Sequence, residues 1–238
     1  MTQVFSGCGM SKAVADLIGD IPNSLGFVMP VYGWRIPKAV RTKLQSLDFR
    51  ARNLSGDKQF TWAVFTCGDD VGYIDRDLER VLGRKLDAAY SVVMPDTYLG
   101  LPGFRLDSPE ESAAKLASAR ARTLAIKEKL LSREFTRDLK RGPFPWMKTA
   151  VIGPVFEKLL VKDSFWRLDH AKCVKCGKCA AECPVGDIEI GADGYPRWKG
   201  DGSCSGCFRC YHFCSGEAIE FGRMTRGKGR LKTNISIS

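Results

Sequence analysis

Eight of the ten cysteines fall between Cys173 and Cys214, and they come as a repeat. Sliding the sequence by 31 residues lays "CVKCGKCAAECPVGDIEIG" over "CSGCFRCYHFCSGEAIEFG". Cys173, Cys176, Cys179 and Cys183 then fall on Cys204, Cys207, Cys210 and Cys214, and Ile188, Glu189 and Gly191 on Ile219, Glu220 and Gly222. A duplication is the economical origin of such self-similarity. The N-terminal "MTQVFSGCG" lacks the basic region and apolar run of an export signal, so a reducing, cytoplasmic setting is expected. There, clustered thiols ligate metal rather than pair as disulfides. Zinc sites set one C-x2-C pair against a distant second pair, whereas each half here has a triplet plus one. Two residues between cysteines let a loop wrap three thiolates around one face of an iron–sulfur cubane. The fourth cysteine, on a following short helix, projects away from that loop.

Over about Phe165–Phe221 the chain closely resembles the bacterial two-cluster ferredoxins. The resemblance implies two [4Fe–4S] clusters with crossed ligands: Cys173, Cys176, Cys179 and Cys214 on one, Cys204, Cys207, Cys210 and Cys183 on the other. Ser215 stands where the first half has Pro184, which removes a backbone constraint beside one ligand. Lys172, Lys175, Lys178 and Arg209 lie in or beside the ligand loops. Nearby positive charge favours the reduced, more negative cluster, so the potential should exceed that of a similar acidic module. Redox titration of Lys175→Glu and Lys178→Glu checks this: both should lower the potential, and an unchanged or higher value refutes the charge effect.

The first hundred residues alternate short apolar runs with amphipathic segments, the pattern of an α/β parallel sheet. "QVF", "LGFVMPVY", "QFTWAVFTC" and "AAYSVVMP" read as strands, with "SKAVADLIG", "PKAVRTKLQSL" and "DRDLERVLGRKL" as helices between them. Ligands of such sheets sit outside the carboxyl ends of the strands. Three strand ends carry suggestive loops: "FSGCGMS" with Ser6, Gly7, Cys8, Gly9, Met10 and Ser11; "PVYGWRIP" with Pro30, Tyr32, Gly33 and Trp34; and "TCGDDVGY" with Thr66, Cys67, Gly68 and Tyr73. The first can cradle a phosphate on backbone N–H groups.

Together with "MPDTYL" at 94–99, these loops resemble the flavodoxin fold. From Phe5 to the basic tail "RMTRGKGRLK" the whole chain is similar to bacterial fusions of a flavodoxin-like domain with a two-cluster ferredoxin. The resemblance implies FMN, with its phosphate on Ser6–Ser11 and its ring near Tyr32, Trp34 and Gly68–Tyr73. Two departures count against tight phosphate binding: the family's S-x-T-G-N-S loop has Cys8 for threonine and Met10 for asparagine. Only Asp20–Gly26 separates the first helix from the next strand, so one edge strand of the usual sheet is expected to be missing. Cys8 and Cys67 read as inert packing residues.

The expected organisation is a shortened flavodoxin-like α/β domain over 1–107, a connecting helix and linker over 108–164, a small α+β two-cluster domain over 165–222 and a basic tail over 223–238. Ser108, Pro109 and Glu111 mark a helix start with a capping box. Ala113, Ala117, Ala121, Leu124, Leu131 and Phe135 predict its apolar face, and "GPFP" at 142–145 its end. The aromatics that follow are expected to pack between the domains.

The formal charge is +10, and residues 101–168 hold most of the excess, with 14 basic against 8 acidic groups. No zinc-finger or RNA-recognition motif accompanies it, so nucleic acid is not an expected partner. No apolar run suggests a membrane span. No general base, nucleophile or nicotinamide fingerprint is present, and His170 and His212 read as packing beside ligands. The leading expectation is an electron-transfer protein relaying electrons between the clusters, FMN and redox partner proteins. A flavin-dependent reductase of a small molecule is the first alternative. The second is a cluster-only carrier whose flavodoxin-like part is a docking scaffold without FMN.

Overall fold

The computed structural model describes residues 1–46, 59–231 and 237. Leu47, the last residue of the second expected helix, and residues 232–236 and 238 of the tail lie outside them.

The order of elements begins β1 (Thr2–Val4), α1 (Met10–Ile18), β2 (Ser24–Pro30), α2 (Lys38–Ser46), β3 (Phe60–Cys67), α3 (Ile74–Leu82) and β4 (Ala88–Val93). It continues with α4 (Pro109–Leu131) and the two-residue β5 (Arg137–Asp138). The five strands form one parallel sheet in the order β1-β2-β3-β4-β5. β1 is an edge strand with Val4 still exposed, where the flavodoxin arrangement has one more strand. The sheet is therefore flavodoxin-like and lacks one edge strand.

β2 and β3 are unbroken apolar runs because both sheet faces are covered. Val28, Trp62, Val64 and Tyr90 turn to one face, where α1 and α4 bring Val14, Ile18, Ile126 and Leu130. Phe27, Met29, Phe65 and Ala89 turn to the other, against Val40 and Leu44 of α2 and Ile74 and Leu78 of α3. Close packing is tightest at Gly26, where an added Cβ would lie 2.2 Å from Cζ2 of the fully buried Trp62. The Trp62 indole is also held by its Nε1–H donating to Ser24 Oγ at 2.9 Å. Gly26→Ala is expected to destabilise the protein by about 1–3 kcal/mol. Chemical denaturation measures this, and an unchanged midpoint would show that the indole can move aside.

α4 departs from the sequence expectation in its buried face and its end. Its capping box forms as expected, with Ser108 and Glu111 bonding reciprocally. The buried face, however, is Ala119, Thr123, Ile126 and Leu130. Ala113, Ala117, Ala121, Leu124, Leu131 and Phe135 are exposed. Methyl groups alone offer little area to bury, and the branched side chains one position round the helix win the sheet. The helix also stops at Leu131 rather than near Gly142, because Arg133 takes a left-handed φ of 53°. The chain then turns back to lay Arg137 and Asp138 beside Ala89 and Tyr90. The segment expected as a connector thus supplies a covering helix and a strand to the first sheet.

Three helical stretches follow in line: α5 (Pro145–Met147), a π-helical stretch Lys148–Ile152 and α6 (Gly153–Leu160). Glu157 of α6 is held by Arg41 at 2.9 Å and Arg35 at 3.6 Å. Of the aromatics expected between the domains, Phe156 packs on Tyr98, whereas Trp166 is buried among Trp198, Phe208 and Phe221 of the C-terminal unit and Trp146 is exposed.

The C-terminal part is a pseudo-symmetric α+β unit: β6 (Trp166–Leu168), α7 (Lys178–Ala181), β7 (Ile188–Ile190), β8 (Pro196–Trp198), α8 (Arg209–His212) and β9 (Ile219–Phe221). β6 pairs antiparallel with β9, and β7 with β8. This unit sits on the carboxyl ends of β1 and β4. Arg209 donates to Gly7 O at 2.9 Å, and His212 Nε2 lies 2.8 Å from Thr97 O. The described part of the basic tail straps the two units together. Lys228 Nζ donates to Leu99 O at 3.0 Å and Leu101 O at 2.8 Å, while Arg230 lies 3.8 Å over the Tyr211 ring.

Candidate functional site

The duplicated cysteine loops are duplicated in conformation as well. Lys175 and Gly206 occupy equivalent places and both have positive φ, as do Gly177 and Phe208, and Gly186 and Glu217. Left-handed residues in a tight loop turn successive N–H groups inward, which makes an anion-binding concavity. Lys175, Phe208 and Glu217 adopt this conformation despite carrying a Cβ, at a cost in backbone strain. Short helices α7 and α8 then carry Cys179 and Cys210, and the fourth cysteine of each half follows directly.

Backbone donors converge on the sulfurs with the same symmetry. Asp187 N–H points at Cys183 Sγ and Ala218 N–H at Cys214 Sγ, both at 3.3 Å. Cys204 Sγ accepts from Gly206 N–H at 3.5 Å and from Trp166 Nε1–H at 3.4 Å. Burial pushes the Cys204 thiol up to about 12 and Cys179 up to about 11, and it raises Cys207 and Cys210 as well. The sulfur neighbours that add to these shifts cross between the halves. Cys179 feels Cys214 and Cys176, Cys207 feels Cys183, and Cys210 feels Cys207, Cys204, Cys183 and Cys179. Clustered, mostly half-buried cysteines with N–H donors aimed at their sulfurs suit a metal centre that takes the place of the protons.

Lys175 Nζ donates to Asp193 O at 2.9 Å and lies 4.2 Å over the Tyr195 ring. Arg209 is more enclosed, bridging Gly7 O and Glu182 Oε2 at 2.6 Å. His170 stacks edge-on with Tyr195. Leu231 N–H donates to His212 Nδ1 at 3.3 Å, so its Nε2–H is the donor to Thr97 O. His212 is buried and hydrogen-bonded, as expected of a packing residue, whereas His170 is exposed against the Tyr195 ring.

At the sheet's carboxyl end, Ser6, Gly7, Cys8, Met10, Ser11, Pro30, Tyr32, Thr66, Cys67 and Gly68 line one cavity. Gly9 caps α1 with a φ of 94°. Gly33 and Trp34, both at positive φ, form the two-residue turn of a tight hairpin closed by Tyr32 and Arg35. With Tyr73 they face the connecting segment. Thr149 Oγ1 accepts from Tyr73 N–H at 2.8 Å and donates to Trp34 O at 3.1 Å, and a Cβ on Gly33 would lie 2.6 Å from Phe156. The cavity also takes in Asp96, Thr97 and Tyr98 after β4, which the sequence reading left out of the site. Their position at a strand's carboxyl end, within "MPDTYL", was the available signal.

The residues of this cavity do not fit FMN. Its volume is about 80 Å³, against the roughly 300–1,000 Å³ of cofactor sites. A Cβ on Gly7 would meet Tyr32 Oη at 2.3 Å and Cys207 Cβ at 2.6 Å, so the cluster loop occupies the phosphate side. Cys8 Sγ–H donates to Cys207 O at 3.0 Å, and Ser11 Oγ and Thr66 Oγ1 bond each other at 2.7 Å. Ser6 Oγ alone remains buried and unpartnered among the phosphate-loop hydroxyls. Asp96, whose carboxyl is pushed up by burial, stands against Gly68, where a second anion is unwelcome. Burial also raises the Cys8 thiol and pushes Cys67 up to about 12, which leaves both inert at neutral pH.

The fold and the cysteine constellation define an iron–sulfur protein of the ferredoxin type. Residues 165–215 match the 4Fe-4S dicluster domain, and through this segment the chain belongs to that family. The pyruvate synthase subunit PorD of Methanocaldococcus jannaschii is 35% identical over 75 residues, which cover 29% of this chain and 86% of that protein. No solved structure matches the chain. Among the described residues, no helix is long and apolar enough to cross a membrane.

Proposed function

We propose that the chain is an electron-transfer protein with two [4Fe–4S] clusters, one held by Cys173, Cys176, Cys179 and Cys214, the other by Cys204, Cys207, Cys210 and Cys183. The observation that carries this reading is the repeated cysteine spacing with its repeated donors, Asp187 N–H on Cys183 Sγ and Ala218 N–H on Cys214 Sγ, both at 3.3 Å; the crossed ligand sets are what the resemblance to two-cluster ferredoxins implies. Bound there, such clusters supply one-electron transfer at each site. The chain's own part is to hold and tune. Asp187, Gly206 and Ala218 direct N–H groups at ligand sulfurs and so favour the more negative, reduced form. Trp166, Phe208 and Phe221 exclude water around Cys204.

The α/β domain acts as a scaffold without FMN. It clamps the second-half loop through Gly7, Cys8 and Thr97 and leaves the first-half loop, with Cys176 exposed, as the entry point for a redox partner protein. Reduction of a small molecule at a flavin edge has no support in this geometry. Anaerobic purification with iron, sulfide and acid-released flavin assays tests the proposal. About eight irons per chain and no flavin are expected. One flavin per chain would overturn the scaffold role, and zinc in place of iron would overturn the whole reading.

A further inference from the structure

We propose that Asp163, Asp187 and Asp201 bind one hard divalent cation, Ca²⁺ or Mg²⁺, beside the second cysteine loop. One oxygen from each carboxylate lies within 4.8 Å of the other two. Around Ca²⁺, with ligands at about 2.4 Å, oxygens on opposite sides of the ion are at most about 4.8 Å apart. The three residues come from distant stretches: Asp163 ends the connecting segment, Asp187 follows Cys183, and Asp201 precedes Cys204. Asp163 is 5% exposed and Asp187 only 1%.

Each carboxylate commits one oxygen to the 201–203 turn. Asp163 Oδ2 accepts from Gly202 N–H at 3.0 Å, Asp187 Oδ1 from Ser203 Oγ–H at 2.8 Å, and Asp201 Oδ1 from Ser203 N–H at 2.8 Å. Asp187 Oδ2 is left buried with no hydrogen-bond donor among the described residues, and its carboxyl is faced by that of Asp163, an arrangement that a cation between the two would relieve. Lys199 pairs with Glu189 and also acts on the exposed Asp201, and Lys38 Nζ donates to Gly202 O at 2.8 Å, but among the described residues no cation forms an ion pair with the buried Asp163 or Asp187. Buried carboxylates gathered without a counter-charge are costly to keep ionised. An all-oxygen donor set selects calcium or magnesium over the softer metals.

The consequence reaches the redox centre. Asp187 donates its own N–H to Cys183 Sγ, and Ser203 is joined directly to Cys204. A cation at this point ties together two loops that the proposed function assigns to a single cluster. The cation's binding itself is independent of that assignment.

Isothermal titration tests it on the anaerobically purified protein, freed of divalent ions on a chelating resin and titrated separately with CaCl₂ and MgCl₂. One ion per chain is expected, with a rise in the thermal midpoint. Asp201→Asn, at an exposed position, should fold normally and weaken binding by at least about tenfold. Asp187→Asn should abolish it. No binding at millimolar concentration would overturn the site, as would binding that Asp201→Asn leaves unchanged. If Asp163 and Asp187 instead share a proton, neither ion will bind and stability will fall as pH rises, which also overturns it.

Discussion

Replacing Cys183 with alanine is expected to remove the cluster of the second half, leaving about four of about eight irons. Cys183 stands in the first half of the repeat, so a chain in which each half filled its own cage would lose the other cluster. The crossed ligand sets proposed above group Cys183 with Cys204, Cys207 and Cys210, and Cys214 with Cys173, Cys176 and Cys179. The spectrum of the reduced Cys183→Ala protein should therefore match that of Cys207→Ala and differ from that of Cys176→Ala. Cys214→Ala should show the reverse. A Cys183→Ala spectrum indistinguishable from Cys176→Ala would dismiss the crossed arrangement. The variants also separate the two halves by setting. Loss of the second-half cluster takes away what shapes the loop seated on Gly7, Cys8 and Tyr32, so Cys207→Ala should loosen the junction with the sheet more than Cys176→Ala does.

Asp75→Ala is expected to cost about 3 kcal/mol, the low end of the roughly 3–5 kcal/mol seen when a buried ion pair loses one partner. Asp75 is fully buried at the start of α3 and receives Arg137 Nη1 at 2.7 Å and both Arg141 Nη groups at 2.9 Å. Arg137 also reaches Glu79. The low end applies because Arg137 and Arg141 keep 35% and 27% of their side chains exposed, so water partly replaces the lost anion. Burial by itself raises the Asp75 carboxyl, but the bonds from Arg141 and Arg137 outweigh it and hold the group below its ordinary value. A depressed carboxylate stabilises the fold above its unfolded value, about 3.9, and that contribution is lost only as pH falls through the lower folded value. The difference in urea midpoint between Asp75→Ala and wild type should therefore stay constant from pH 5 to 8. A difference that shrinks across this range, or that stays below about 1 kcal/mol, would show that the two arginines do not depend on Asp75.

Legibility from sequence followed the range of the interactions involved. The cysteine loops could be read because their geometry is local: three cysteines lie within seven residues, and the matching positive-φ residues recur 31 positions on. The long strands β2, β3 and β4 were legible because continuous apolar runs signal burial on both faces. β5 was not, since two residues carry no period and pair only through what β4 presents. The face of α4 was misread for a related cause: alanines at helical spacing resemble a stripe, but area buried against the sheet decides which stripe turns inward. In the flavodoxin-like loops, ten of the fourteen expected flavin residues do converge on one cavity. Strand-end loops converge by topology alone.

The chain's linear order therefore determined two things: a doubled thiolate cage, set by covalent spacing, and a parallel sheet with its loops gathered at one edge, set by hydrophobic period. Whether that edge stayed open was decided only in three dimensions. Cys207 and Cys8 are 199 residues apart, and the Cys207 backbone accepts the Cys8 thiol where a cofactor would otherwise enter. Cavity space depends on which distant surfaces pack together, and such packing leaves no spacing or period along the chain by which to foresee it.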